Sequence, residues 1–188
     1  MPAHLFVVSA PSGAGKTSLL KAVREVLPDL CVSVSHTTRA RRPGEIDGVN
    51  YHFVDEAAFR ALVAAGAFLE HAEVFGNFYG TSRHSVEQAL AAGQDVVLEI
   101  DWQGARRVRD FFPDAVTIFI APPSIAELQR RLESRGQDSA EVVARRMAAA
   151  AAEMSHAGEY AHHIINDDFG RATGELVTLI REARASGV

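Results

Sequence analysis

The sequence is short of several things, and each shortage narrows what the protein can be. It has one cysteine, Cys31, so no internal disulfide can form. A lone thiol in an apolar segment suits a reducing compartment and is expected to be buried and inert. No apolar run approaches the ~18 residues needed to span a bilayer, and the N-terminus leads straight into a strand-like stretch. A soluble, cytoplasmic protein is expected. Basic residues do not dominate either. With 19 Lys+Arg against 24 Asp+Glu the formal charge is −5, so no general basic surface for nucleic acid or membrane is implied, and nothing marks an obligate protein partner. Lysine itself is scarce: Lys16 and Lys21 are the two lysines, and arginine serves everywhere else. What remains is an ordinary globular composition, 188 residues at 47% hydrophobic, enough for one domain with a single core and small inserted lobes.

One of those two lysines lies in the stretch that organises the chain, LFVVSAPSGAGKTSLL from Leu5 to Leu20. An apolar run, Leu5 to Val8, leads into a loop of small residues, then Lys16 and Thr17. Beyond them Leu19, Leu20, Val23, Val26 and Leu27 fall on one helical stripe. Strand, tight loop and helix in this order place the loop's N–H groups and the orphan donors of the first helical turn at one spot, which the helix dipole makes attractive to phosphate. The expected phosphate-binding residues are Ser12, Gly13, Ala14, Gly15, Lys16, Thr17 and Ser18. Lys16 would reach the β- and γ-phosphates, and the Thr17 hydroxyl would be offered to Mg2+. The first position of the usual G-x-x-x-x-G-K-[ST] pattern is Ala10 here, while Gly13 and Gly15 stand where the backbone must turn close to a ligand.

Further along, Leu30 to Val34 reads as a second strand, and the polar, basic, turn-rich piece after it packs Arg39, Arg41 and Arg42 into four positions. Tyr51 to Val54 reads as a short strand. Asp55 is placed to cap a helix with Phe59, Leu62 and Val63 on its inner face, ended by Gly66. Phe68 to Phe75 reads as a strand, GNFYGTS as a turn, and Ser82 as the cap of a helix that stops at Gly93. The strand DVVLEID then brings Glu99 and Asp101 to one side of its carboxyl end, where open α/β sheets bind ligands. A helix over Trp102 to Phe112 and a strand over Val116 to Ile120 follow. Ser124 caps the next helix, with Arg130, Arg131, Arg135, Arg145 and Arg146 around a break at Gly136 and Glu127 as a local partner. His162 to Asn166 is the last strand and Gly170 to Ala185 the closing helix. His162 and His163 point to opposite faces of that strand, which argues against a shared metal ion.

The alternation predicts an α/β protein: a parallel sheet with a phosphate-loop core, helices on both faces, and inserted lobes. The phosphate loop makes a nucleoside triphosphate the first ligand. The arginines at 39 to 42 suggest a second anion, with Glu70 and Thr81 supplying a carboxylate and a hydroxyl beside it. That pairing favours transfer between two phosphorylated molecules over hydrolysis, because phosphoryl transfer needs positioned cations more than covalent chemistry.

Taken together, SAPSGAGKTSL, SVSHTTRARRPGEIDGVNYHFV, FLEHAEVFGNFYGTS, VVLEIDWQGA, IFIAPPS and INDD resemble the guanylate kinase family over nearly the whole chain. The resemblance implies a core over 1–35, 82–126 and 147–188, a GMP-binding lobe over 36–81 and a lid over 127–146. It implies the reaction of ATP with GMP to give ADP and GDP with Mg2+, and leaves dGMP open as a second acceptor. By motif, Ser35, Arg39, Arg42 and Tyr51 would hold the GMP phosphate with Tyr79 beside them. Glu70, Thr81 and Ser35 would read the base, and Asp101 would add a contact near guanine or metal. Arg42, Arg135 and Arg146 match the arginines that act on the transferring phosphoryl, Arg131 joins them from the lid, and Asn166 and Asp167 match the adenine contacts. The chain departs from the family pattern at Ala10, His36 and Glu99, and which of Glu99 and Asp101 serves the metal stays open. A guanylate-kinase-like interaction module would lack a working phosphate loop, and a kinase of a phosphorylated sugar would not need Glu70 and Thr81 as a base reader.

Overall fold

Strand β1 (Leu5–Ser9) is the axis of the fold in the computed structural model, which describes residues 3–134 and 139–186. All five of its residues are buried. It pairs in parallel with β7 (Val96–Glu99) on one side and β8 (Val116–Ala121) on the other. β2 (Cys31–Val32) and β9 (His162–Ile165) close the edges, giving the order β2-β7-β1-β8-β9. The strand before the phosphate loop therefore has a later strand on each side, and the loop leaves the sheet at its carboxyl end between them.

Strand alternation sorts the core. Phe6 and Val8 point to the face covered by α1 (Lys16–Val26) and α7 (Phe169–Ser186), where they meet Leu19, Leu20, Val23, Leu176 and Ile180. Leu5 and Val7 point to the other face, against Val86 of α3 (Arg83–Ala91) and Ala105 and Val108 of α4 (Trp102–Phe111). The parallel sheet covered on both faces is as expected from sequence. Two details differ: Val26 is 48% exposed, because the helix ends there and turns it off the sheet, and Cys31 is half-buried on an edge strand that is only two residues long.

The segment between β2 and α3 folds on a sheet of its own, ordered β4-β3-β6-β5, from β3 (His36–Thr37), β4 (His52–Phe53), β5 (Phe68–Val74) and β6 (Asn77–Ser82). Helix α2 (Glu56–Ala64), capped by Asp55, seats Phe59 against Phe68 and Phe78 at ring-centroid distances of 4.7 and 5.5 Å. The GNFYGTS stretch, read as a turn, is mostly strand β6. The turn is only Phe75 and Gly76, with φ of 51° and 73°, and a two-residue turn with both φ positive matches the strand twist of a hairpin. Its glycine, asparagine and serine suggested a loop, while the ladder with β5 decides the outcome. α5 (Ile125–Ser134) and α6 (Ala140–Ser155) pack on one another through Leu128, Leu132, Val143 and Ala150. Among the described residues no helix is long and apolar enough to cross a membrane.

Candidate active site

The loop after β1 is built to leave donors unused. α2, α3, α4 and α6 each have a side chain accepting from the first turn, namely Asp55, Ser82, Asp101 and Ser139. α1 has Gly15 at that position, left-handed at φ 95°, and no side-chain cap. Its first-turn N–H groups, at Lys16, Thr17 and Ser18, thus have no side-chain cap, the arrangement in which a helix start can take an anion. Gly13 is also at φ 95°. The positive φ is the sharp turn expected of these two glycines, and the packing adds a second reason for them. A Cβ on Gly13 would lie 2.9 Å from Leu132 Cδ2, and one on Gly15 would lie 2.5 Å from Asn166 Nδ2, so the room goes to the protein's own packing. Ala10 is not among the positive-φ residues, so the missing first glycine costs nothing in backbone strain.

Three residues expected at the nucleotide base or the transferring phosphate are engaged with the protein itself. Asn166 is buried and donates from Nδ2 to the carbonyl of Ala14 at 2.7 Å. Arg131 donates from Nη2 to the Asn166 carbonyl at 3.0 Å and from Nε to Glu127 at 2.9 Å. Together they tie α5 and the end of β9 to the phosphate loop. Asp167 is exposed and paired with Arg171. Arg135 lies outside the described residues.

A cleft of about 450 Å³ opens from the loop. Its donor side is lined by Ser12, Gly13, Gly15, Lys16, Thr17 and Ser18, and Arg146 reaches it from α6. Across from them are Ser35, Arg42, Tyr51, Tyr79 and Glu70, contributed by the second sheet and its loops. Arg39 is the exception in that group. It turns from the cleft to pair with Glu45 at 2.7 Å, beneath the ring of Tyr51, while the other oxygen of Glu45 accepts the backbone N–H of Arg42 at 2.7 Å. Arg39 therefore shapes the loop that carries Arg42. Burial raises the pKa of the Tyr51 phenol, which stays protonated and available as a donor.

The deepest acceptor-side group is Glu70. It stands directly opposite Thr81 in the β5–β6 ladder, and with both residues buried the Thr81 hydroxyl donates to Glu70 Oε1 at 2.5 Å. Thr81 is fully shielded, so it acts on the cleft through Glu70. Burial pushes the Glu70 carboxyl up to about 7; the Thr81 hydroxyl pulls it down and the Asp101 carboxylate adds to the rise.

The two acids at the end of β7 take different partners. Asp101 caps α4, accepting from Gly104 N at 2.9 Å and from Gln103 Nε2 at 3.1 Å. Glu99 faces the phosphate loop and accepts from Thr17 Oγ1 at 3.2 Å. A hydroxyl and a carboxylate side by side are hard oxygen donors of the kind Mg2+ takes, so the pair that fits the ion is Thr17 and Glu99.

One charged cleft residue escaped sequence reasoning. Glu153 enters from α6, and its Oε2 is shut off from solvent with no hydrogen-bond partner. Burial pushes its carboxyl up to about 7, offset by the ammonium of Lys16 and the backbone of Ser12 and reinforced by Asp101. It lies seven residues, two helical turns, beyond Arg146. Once Arg146 is placed on a helix, the shared face is the signal that finds Glu153.

A phosphate loop at the central strand, facing a second pocket of arginine, tyrosine and a buried carboxylate across one cleft, defines a P-loop nucleotide-binding protein with room for a second ligand. Comparison with known proteins narrows this. A family model described as guanylate kinase matches residues 3–183. The chain is similar to the guanylate kinase of Alkalilimnicola ehrlichii, 60% identical over 98% of this chain and 91% of the relative, and to that of Salmonella typhi, 59% identical over 96% and 88%. In three dimensions it is similar to the crystal structure of guanylate kinase from Anaplasma phagocytophilum, at a TM-score of 0.78 and 38% identity, covering 96% of this chain and 85% of that one. The chain belongs to the guanylate kinase family.

Proposed function

We propose that this chain transfers the γ-phosphoryl group of ATP to GMP, giving ADP and GDP, and that the residues facing one another across the cleft divide the work as follows. The observation that carries the assignment is the Glu70–Thr81 pair in the same cleft as Lys16. Guanine presents N1–H and the N2 amino group as adjacent donors, which suit an ionised carboxylate. Adenine presents a lone pair at N1, which would oppose it. A site built to pair such groups rejects the mismatched analogue by roughly 10^4. Thr81 holds one oxygen of Glu70, and Ser35 lies beside the base.

On the donor side the uncapped turn from Lys16 to Ser18 receives the phosphates, and Lys16 neutralises charge on the moving group. Arg42, Tyr51 and Tyr79 hold the acceptor phosphate, with Arg39 setting the loop through Glu45. Arg146 completes the cationic ring, Arg135 would act with it by motif, Asn166 and Arg131 brace the loop, and Asp167 borders the adenine side. Thr17 and Glu99 would hold Mg2+, which when bound supplies charge neutralisation on the phosphates. Residues 36–81 serve as the GMP-binding lobe and 127–146 as the lid, and their closure would exclude water as a competing acceptor. The lone cysteine and the substrates suit the cytoplasm.

A coupled assay of ADP production with GMP, dGMP, AMP and ribose 5-phosphate as acceptors tests this. GMP is expected to exceed AMP in kcat/KM by orders of magnitude. Equal use of AMP or of ribose 5-phosphate contradicts the reading.

A further inference from the structure

Helix α4 carries a glycine in its first turn that its backbone does not require. Gly104 is buried and lies outside the left-handed region, and glycine is the poorest helix former after proline. The reason for it lies in what a side chain would strike. A Cβ at position 104 would be 2.5 Å from Glu70 Oε2, 3.0 Å from Glu70 Cδ and 3.3 Å from Glu70 Cγ, so the three nearest atoms all belong to one residue. The end of a glutamate can ordinarily swing aside. This one is 4% exposed, and its other oxygen accepts the Thr81 hydroxyl at 2.5 Å. Displacing Oε2 therefore means disturbing the Thr81 bond or the packing around it.

We propose that Gly104 is a positioning residue for guanine selection: the missing side chain on α4 sets where the Glu70 carboxylate stands. Gly104 acts on a second acid as well, since its N–H is held by Asp101 Oδ1 at 2.9 Å, so α4 starts at a fixed distance from the base-reading carboxylate. Thr81 fixes one oxygen of Glu70 from the second sheet, and Gly104 leaves space for the other from the core. The reader of the base is thus seated on two structural units at once. This inference rests on the assignment of Glu70 as the guanine acceptor.

Gly104→Ala separates selection from stability. Alanine is the better helix former, which offsets part of the strain of displacing Glu70, so the melting temperature is expected to shift by only a few degrees. With Glu70 pushed aside, KM for GMP is expected to rise on the order of 10- to 100-fold, and the GMP-over-AMP ratio of kcat/KM to fall similarly. KM for ATP should move less than twofold, roughly the scatter of a neutral substitution. Glu70→Asp withdraws the carboxylate from position 104, so Glu70→Asp/Gly104→Ala should be no worse for GMP than Glu70→Asp alone, a non-additive pair. A Gly104→Ala protein with unchanged GMP KM and unchanged selectivity overturns the inference. So does a parallel loss of ATP affinity and melting temperature, and so does failure of both the single and the double variant to fold. Should Gly104→Ala fail to fold while the double variant folds, the steric coupling to Glu70 stands. Glu70→Gln is run alongside: unchanged preference for GMP over AMP in that variant contradicts the assignment of Glu70, whereas a lost preference there with normal selectivity in Gly104→Ala contradicts Gly104 alone.

Discussion

Thr81 Oγ1 and Glu70 Oε1 are 2.5 Å apart, on directly paired residues of two antiparallel strands and both shielded from water. A carboxylate buried this way is costly to ionise, and one hydroxyl compensates only in part. Its raised pKa near 7 puts the Glu70 charge within reach of physiological pH.

GMP capture should therefore depend on pH with a definite sign. The ionised form accepts from guanine, and its fraction falls as pH drops below about 7. In the wild type kcat/KM for GMP should decline toward tenfold per pH unit on the acid side, and GMP binding near pH 7 should release protons, detectable as a buffer-dependent heat. Glu70→Gln should show a low profile lacking that limb. A Glu70→Gln profile that keeps the wild-type acid limb assigns the ionisation elsewhere.

Glu153 makes the opposite kind of statement, about stability. Its folded pKa is raised above the unfolded value to about 7, so the unfolded chain ionises first and stability falls as pH rises between about 4.5 and 7. Glu153→Gln removes that penalty. The ligand-free variant should melt above the wild type at pH 8, with the gap closing by pH 5. A pH-independent difference in melting temperature contradicts the assignment.

Asn166 tests how the phosphate loop is held. Its amide to the Ala14 carbonyl is a buried bond. Asn166→Ala leaves that carbonyl unpaired, which should cost about 1–3 kcal/mol in denaturant unfolding. ATP affinity should fall with it, while GMP affinity changes little. Equal losses for both nucleotides would point to a general loosening of the core.

Lys16→Ala should keep the melting temperature within a few degrees and lower kcat by about 10^3 or more, since an electrostatic clamp on a transferring phosphoryl has that order of effect. Near-normal turnover removes Lys16 from the chemistry.

The phosphate loop, the parallel sheet and the capping residues Asp55, Ser82 and Ser124 were legible because each is a local event: hydrophobic period, turn residue, cap. The second sheet was less so. The strand expected over Tyr51 to Val54 contains β4, but β3 is two residues long and exists through pairing with β4 and with the β5–β6 hairpin, which no local pattern encodes. Most charged cleft residues were named from motifs, with Glu153 the omission, since it belongs to no motif and is reached only through the helix face it shares with Arg146. Arg39, Arg131 and Asn166 were expected at the ligands by motif, but their hydrogen bonds to Glu45, the Asn166 carbonyl and Ala14 come only from tertiary contact.

The direct test is a crystal structure with GMP and a non-hydrolysable ATP analogue bound. The monophosphate should lie against Arg42, Tyr51 and Tyr79, with guanine N1 and N2 within ~3.2 Å of the Glu70 carboxylate and the triphosphate on the turn from Gly15 to Ser18. GMP bound away from Glu70, or with its phosphate on the far side of the cleft from Arg42, leaves the transferred group without an acceptor and contradicts the proposed chemistry.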